Sequence, residues 1–247
     1  MTALLTVCQL HKSYGGVRAT DDLNLEVVRG ELHAVIGPNG AGKTTLISQL
    51  SGNVFPDSGS ITFNGINVTH MAEHARPHLG IARTYQITSL IKSMSVVENL
   101  QLAIQAKRGH SFKFWNPYAA NKEVRKGAHE YAARVDLEDR ADIQVANLSH
   151  GEQRRLEVAM ALASDAKLLL LDEPLAGLGP EEASEMITLL DTLKGQQTIV
   201  LIEHDMDAVF TLADRISVMV YGHIIATGDP HHIRQNQDVQ HAYLGED

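Results

Sequence analysis

Cysteine is all but missing from this chain. Cys8 is the single one, which excludes an internal disulfide and suits a reducing cytosol. No apolar run approaches the roughly 18 residues that a membrane-crossing helix needs. No basic segment precedes the short apolar stretch at the start, so a secretory signal is not expected. Basic residues are in the minority, and the formal net charge of −9 argues against nucleic acid or an anionic membrane surface as the main partner. There is no internal repeat and no low-complexity segment. What remains is 247 residues with 44% apolar content, enough for a sizeable core in one domain with room for an inserted subdomain.

The first chemistry-bearing stretch is Gly37-Pro38-Asn39-Gly40-Ala41-Gly42-Lys43-Thr44, which matches the phosphate-loop pattern. It follows Leu32-His33-Ala34-Val35-Ile36, a buried strand by length and β-branched content, and precedes helix-forming Thr45-Leu46-Ile47. Gly40 and Gly42 let the backbone turn its N–H groups inward as a nest for anionic oxygens. The helix that follows adds the positive end of its dipole. Lys43 would reach the β- and γ-phosphates of a nucleotide, and the Thr44 hydroxyl would hold Mg²⁺.

The second stretch is Lys167-Leu168-Leu169-Leu170-Leu171-Asp172-Glu173-Pro174. An unbroken apolar run suits a strand buried on both faces of a parallel sheet. It ends in two carboxylates at the edge where open α/β sheets bind ligands. Asp172 is expected on the Mg²⁺ side, and Glu173 is expected to orient and polarise an attacking water. Neighbouring strand residues point to opposite faces, which would separate the two roles.

The third is Leu148-Ser149-His150-Gly151-Glu152-Gln153. Ser149 and Glu152 form a capping box ahead of an apolar helical face made by Leu156, Val158, Ala159 and Leu162. A cap alone would explain both residues. The same turn leaves N–H groups, a hydroxyl and a positive dipole at an exposed helix start, which is an anion site.

Strand and helix patterns alternate along the chain, predicting an α/β fold with a largely parallel sheet. The start, residues 4–36, is β-rich; Ile61-Thr62-Phe63 is strand-like after turn signals at Pro56-Asp57-Ser58-Gly59. After Gln86 the texture turns helical, with Val96–Ala106 and Asn121–Val135 carrying apolar residues at helical spacing. Strands resume at Leu168, Thr198–Ile202 and Ile216–Val220, with Tyr221-Gly222-His223 as a turn. Residues 1–86 and 161–247 are expected to form a nucleotide-binding core, and 87–160 an inserted α-helical subdomain.

Taken together, these motifs resemble the ATP-binding cassette (ABC) ATPases along nearly the whole chain. The resemblance implies a P-loop core with a mostly parallel sheet, an antiparallel β part near the N-terminus and an inserted helical subdomain. It places Tyr14 against adenine, and Gln86, in Arg83-Thr84-Tyr85-Gln86, on the metal and the attacking water. It places His204, in Leu201-Ile202-Glu203-His204-Asp205, on the γ-phosphate. ATP would lie between one chain's loop, Gly37 to Thr45, and the Ser149, His150, Gly151 and Glu152 turn of a second chain. The family works as a head-to-tail dimer whose closure on ATP and opening after hydrolysis drive membrane permease subunits. A periplasmic substrate-binding protein takes part indirectly, and the ATPases are cytoplasmic, on the inner face of the membrane.

Within the family, the segments around Gln86, Ser149 and His204 and the terminal Ala242-Tyr243-Leu244-Gly245-Glu246 resemble the larger ATPase of branched-chain amino acid importers. Urea and short-amide importers share this texture, and a lipopolysaccharide-export ATPase shares the tail. His150 stands where the family commonly has glycine, and Glu152 where it has Gln. Gly179, in Ala176-Gly177-Leu178-Gly179-Pro180, stands where the wider family has Asp and this subgroup often has Asn. A soluble regulatory ABC ATPase would usually carry two cassettes or a long coiled coil. A P-loop kinase has no use for the Ser149 turn, and a non-hydrolysing cassette sits poorly with Glu173 and His204.

Three further features invite attention. His70, His74 and His78 recur every fourth residue, but Pro77 would disrupt a helix and no thiolate or acid cluster lies near, so a solvated connection is expected rather than a metal site. Phe112, Phe114, Trp115 and Tyr118 crowd together, either as local packing or as a surface that docks a membrane partner. His231-His232 begins a surface helix.

Overall fold

The computed structural model describes residues 2–84, 90–107 and 122–244. Two long strands open the chain, β1 (Ala3–Tyr14) and β2 (Val17–Val28), paired as a bulged antiparallel hairpin. With β4 (Ser58–Phe63) and β5 (Ile66–Asn67) they form a four-stranded sheet in the order β2-β1-β4-β5. The second sheet has six strands. It comprises β3 (Leu32–Ile36), β6 (Ile81–Arg83), β7 (Leu168–Asp172), β8 (Thr198–Ile202), β9 (Arg215–Val220) and β10 (His223–Gly228), in the order β10-β9-β3-β8-β7-β6. Every pairing in it is parallel except that of β9 with β10. The mixed α/β fold read from the sequence is the one observed. The β9–β10 turn falls at the expected residues, with Tyr221 at φ 45° and Gly222 at φ 86°, the paired left-handed conformations of a tight hairpin.

The parallel sheet separates two cores, which explains the unbroken apolar strands. Leu169 and Leu171 face a helical core, whereas Leu168 and Leu170 face a core shared with the antiparallel sheet. Helix α1 (Lys43–Ser51) lies on the second side, burying Leu46, Ile47 and Leu50 there. On the first side lie α2 (Val96–Lys107), α3 (Lys122–Arg134), α4 (His150–Ala163), α5 (Pro180–Leu193) and α6 (Met206–Leu212). Helices α2, α3 and α4 pack on one another. Val124, Ala128 and Ala132 form the buried stripe of α3, a four-residue spacing that keeps one helical face inward. Helix α4 runs unbroken through residue 160 to Ala163. Helices α7 (Pro230–Gln235) and α8 (Gln237–Leu244) close the chain; α7 begins just before His231-His232, as expected. Among the described residues no helix is long and apolar enough to cross a membrane.

The histidine-rich connection exposes its three histidines, as expected of a solvated connection, but it is not irregular. Glu73–Leu79 is a 3-10 helix with Pro77 inside it. Its tighter turn tolerates the ring because a continuing α-helical ladder is not needed. His70, His74 and His78 are exposed, while Arg76 between them is fully buried. Its guanidinium donates to the carbonyls of Gln49 and Leu50 at 2.8 and 2.6 Å, Val68 at 2.7 Å and Met71 at 3.1 Å. Burial pushes its pKa down to about 10, so it stays charged at neutral pH. The aromatic cluster from Phe112 to Tyr118 lies outside the described residues, as does the tail from Gly245.

Candidate nucleotide site

Three loops leave the same edge of the parallel sheet: the phosphate loop after β3, the acidic end of β7, and the segment after β8. Because β3, β8 and β7 are adjacent and in register, their C-terminal ends bring Gly37, Glu173 and His204 onto one rim. This is the crevice in which open α/β sheets bind ligands.

The loop is shaped by steric necessity as much as by flexibility. A Cβ on Gly37 would sit 2.0 Å from the Met219 carbonyl oxygen, and one on Gly42 would sit 1.9 Å from that of Ala19. Gly37 and Gly42, rather than Gly40, are therefore the positions at which no side chain fits; Gly40 has open space and is kept by its φ of 79°. Gly42 also seats the loop against β2. The β1–β2 hairpin thus lies beside the loop, with Tyr14 half-exposed near its tip. Helix α1 starts at Gly42 with no side-chain cap and no acid in its first turn, so its positive end is left open. Asn39, Gly40 and Thr44 are exposed, and Pro38 and Thr45 partly so. Ala41 is buried, its carbonyl tied to the Gly222 N–H at 2.9 Å. The Lys43 ammonium donates to the Gly37 and Pro38 carbonyls at 2.6 and 3.0 Å. Burial pushes it below the ordinary lysine value, and the charges of Glu173 and Asp172 pull it back up. That coupling places both acids within electrostatic reach of the loop.

The two acids are separated differently from the strand alternation expected. Strand β7 ends at Asp172, and Glu173 already has a left-handed backbone, φ 50°, held by its N–H on the Ile202 carbonyl at 2.8 Å. A non-glycine residue kept in that region marks strain maintained by its surroundings. Asp172 is buried and ion-paired to Arg83 at 2.9 Å; Arg83 also donates to the hydroxyls of Ser48 and Ser51. His204 is exposed. The residue before it, Glu203, is fully buried and accepts from the Leu175 N–H at 2.8 Å and the His204 N–H at 3.1 Å. Burial pushes the Glu203 carboxyl above the usual range, against the pull of those N–H donors. Glu203 therefore ties the segment after Glu173 to His204. Gln86 lies outside the described residues.

The Ser149 turn opens α4 and lies against the segment between β7 and α5, the His150 ring 3.6 Å from the Cβ position of Gly177. Its capping box is formed: the Glu152 N–H donates to Ser149 Oγ at 3.1 Å and the Ser149 N–H donates to Glu152 at 2.8 Å. Ser149 and His150 are exposed. The donors expected to be free are nevertheless engaged, because α5 brings Glu182 onto them. Ser149 Oγ and the Gly151 N–H both donate to Glu182 Oε1, at 2.8 and 3.0 Å. Hydrogen bonds from Ser149, Gly151 and Gly179 hold the Glu182 carboxyl below the usual range.

Sequence reasoning missed Arg83, Glu182 and Glu203 as parts of this machinery. Signals for two of them were present. Glu182 stands three residues after the start signal Gly179-Pro180, the usual place of a capping acid, and Glu203 is an acid closing an otherwise apolar strand.

A model of the ABC transporter family matches residues 20–176, well over half the chain. The chain belongs to the ABC transporter family. A model of the branched-chain amino acid ATP-binding cassette transporter matches residues 223–247 of this ABC ATPase. It is 39% identical, over 98% of both chains, to the high-affinity branched-chain amino acid transport ATP-binding protein LivG of Escherichia coli K12. It is 35% identical to the lipopolysaccharide export system ATP-binding protein LptB of the same organism, covering 99% of this chain and 98% of that one. Among solved structures it superposes on the ADP conformation of MJ1267, an ATP-binding cassette of an ABC transporter. That match has a TM-score of 0.87 at 30% identity and covers 100% of both chains. It also superposes on MJ0796, a dimeric cassette in a post-hydrolysis state bound to ADP and Pi. There the TM-score is 0.75 at 25% identity, over 92% of this chain and 98% of that one.

Proposed function

We propose that this chain is the ATP-hydrolysing subunit of an importer for branched-chain or other amino acids. On this reading it acts from the inner face of the membrane, as half of an ATPase dimer bound to permease subunits. The geometry that supports hydrolysis is the shared rim at the C-terminal ends of β3, β8 and β7, with the Lys43 loop on the first strand and Asp172 and Glu173 on the last. The match at residues 223–247 and the likeness to LivG carry the substrate class. Residues 87–160 are read as the helical lobe that carries the Ser149 turn.

In this reading the open end of α1 and the loop from Gly37 to Thr45 hold the phosphates, Lys43 leaving its carbonyl partners for the ligand's oxygens. Tyr14 stacks on the base. Thr44 and Asp172 are hard oxygen donors at the loop and the strand end, a donor set that fits Mg²⁺; Gln86 is assigned to the same ion by resemblance. Bound Mg²⁺ would neutralise charge on the phosphate oxygens. Glu173, held in a strained backbone, orients the water, and His204 contacts the γ-phosphate. The turn Ser149, His150, Gly151 and Glu152 completes a second chain's site.

A Glu173→Gln variant is expected to bind ATP, to lose roughly a thousandfold in turnover, as removal of a positioned base commonly does, and to accumulate as dimer on a sizing column. A chain that stays undimerised under saturating ATP and Mg²⁺, with its ATPase partner present where the dimer is heteromeric and nucleotide binding confirmed, would sink the mechanism. The likeness to LptB favours an exporter as the second reading. Which membrane subunits co-purify, and uptake of branched-chain amino acids by that complex, separate the two.

A further inference from the structure

The Ser149 turn carries an anion supplied by its own chain. Ser149 Oγ and the Gly151 N–H converge on one oxygen of Glu182, while the other oxygen accepts from the Gly179 N–H at 3.4 Å. The side chain lies flat on the turn: a Cβ at Gly151 would be 2.8–2.9 Å from Glu182 Cβ, Cγ and Cδ. One carboxylate therefore bridges the positive ends of α4 and α5, a favourable place for negative charge. These donors are also the ones that, on the reading above, the turn offers to the γ-phosphate of the second chain's ATP.

One hydroxyl and one N–H cannot serve two anions, and a carboxylate in place would repel an arriving phosphate. We propose that Glu182 occupies the signature turn in the free chain as an internal substitute for the γ-phosphate, and that it must swing off before the dimer can close on ATP. Closure is then a ligand exchange at the turn, and the strength of the Glu182 contact sets how much ATP is needed to close the dimer. The carboxylate has somewhere to go. Gly179 carries no side chain, and nothing lies within 4 Å of where its Cβ would be. The Gly179 N–H can also keep one oxygen while the other leaves. His150 fits the same picture, its ring lying 3.6 Å from the Cβ position of Gly177, so the turn and the segment before α5 lie at close range.

The proposal rests on the assignment of the turn to ATP, and the test separates the two. The Glu173→Gln chain, with its membrane complex where the dimer is heteromeric, is titrated with ATP and Mg²⁺, and dimer formation is followed by light scattering. Adding Glu182→Ala is expected to lower the ATP needed for half-maximal closure about fivefold, because the competent state of the turn is no longer a minor fraction. Glu182→Gln, which keeps the shape without the charge, is expected to lower it less. Glu181→Ala, a neighbouring exposed acid, is expected to leave it unchanged. With Glu173 intact, Glu182→Ala is expected to lower the KM for ATP. An unchanged or higher ATP requirement in both Glu182 variants would overturn the proposal, the higher one marking Glu182 as a strut that shapes the turn. Failure of Glu173→Gln itself to dimerise, with ATP bound, would instead overturn the assignment on which the proposal rests.

Discussion

Two helices of this protein begin at turns that can bind phosphate, and the chain treats them in opposite ways. Helix α1 enters through Gly42 with no capping side chain and no acid in its first turn. Lys43, its first residue, leans on two carbonyls of the loop. Helix α4 enters through Ser149 with a complete capping box, and a carboxylate from α5 lies on its remaining donors. An uncapped helix end forgoes about 1 kcal/mol of stabilisation, so α1 keeps its donors for a ligand at a cost in stability. The α4 end is satisfied until something stronger arrives. On the proposed function the contrast implies an order of events: nucleotide would settle on a chain's own loop first, and the second contact would follow only when another chain presents it.

The comparison can be broken most severely at α1. Lys43→Ala removes the loop's own cation, and ATP affinity is expected to fall at least about a hundredfold, since hydrogen bonds between charged groups each carry several kcal/mol when lost. Calorimetry on the isolated chain reads this; near-normal affinity would mean the loop is not the primary site. A gentler change sharpens the α4 side. Gly179→Asp meets no steric obstacle and sets a second carboxylate beside Glu182. Like-charge crowding is then expected to lower the ATP needed for closure about twofold. The smallest effect belongs to Glu203, which ties the two strand-end segments together. Its raised carboxyl means the folded state holds the proton more tightly than the unfolded one, so stability falls as pH rises from the ordinary carboxylate value near 4.5. Glu203→Gln does not titrate. The melting temperature of wild type minus that of this variant is therefore expected to fall from pH 5 to pH 8, and a constant difference would show that Glu203 is not the group responsible.

What could be read without coordinates was local. Glycine spacing after an apolar strand marked the loop, the leucine run ending at Asp172 marked a doubly buried strand, and Ser149 with Glu152 marked a helix start. What escaped was set by partners far apart in the chain: 31 residues separate Gly151 from Glu182, 28 separate Leu175 from Glu203, and 89 separate Arg83 from Asp172. No periodicity encodes such meetings; they exist only once β6, β7 and β8 lie side by side and α5 turns back over α4. The same holds for Gly37, whose need for glycine comes from a carbonyl 182 positions away at Met219. Strand alternation was a sound rule applied one residue too far, because β7 stops at Asp172 and the backbone reverses hand at Glu173.

Arg76 has a mechanical consequence. Its guanidinium grips the last carbonyls of α1 together with those of Val68 and Met71, sealed from solvent. The end of α1 opposite the phosphate loop is thereby bolted to the antiparallel sheet, a cation lying at the negative pole of the helix. A helix clamped at its tail cannot recoil when charge is gained or lost at its head. Such a helix would serve as an anvil beneath a nucleotide bound at its head, passing a change there outward through the segments leaving β7 and β8 instead of absorbing it.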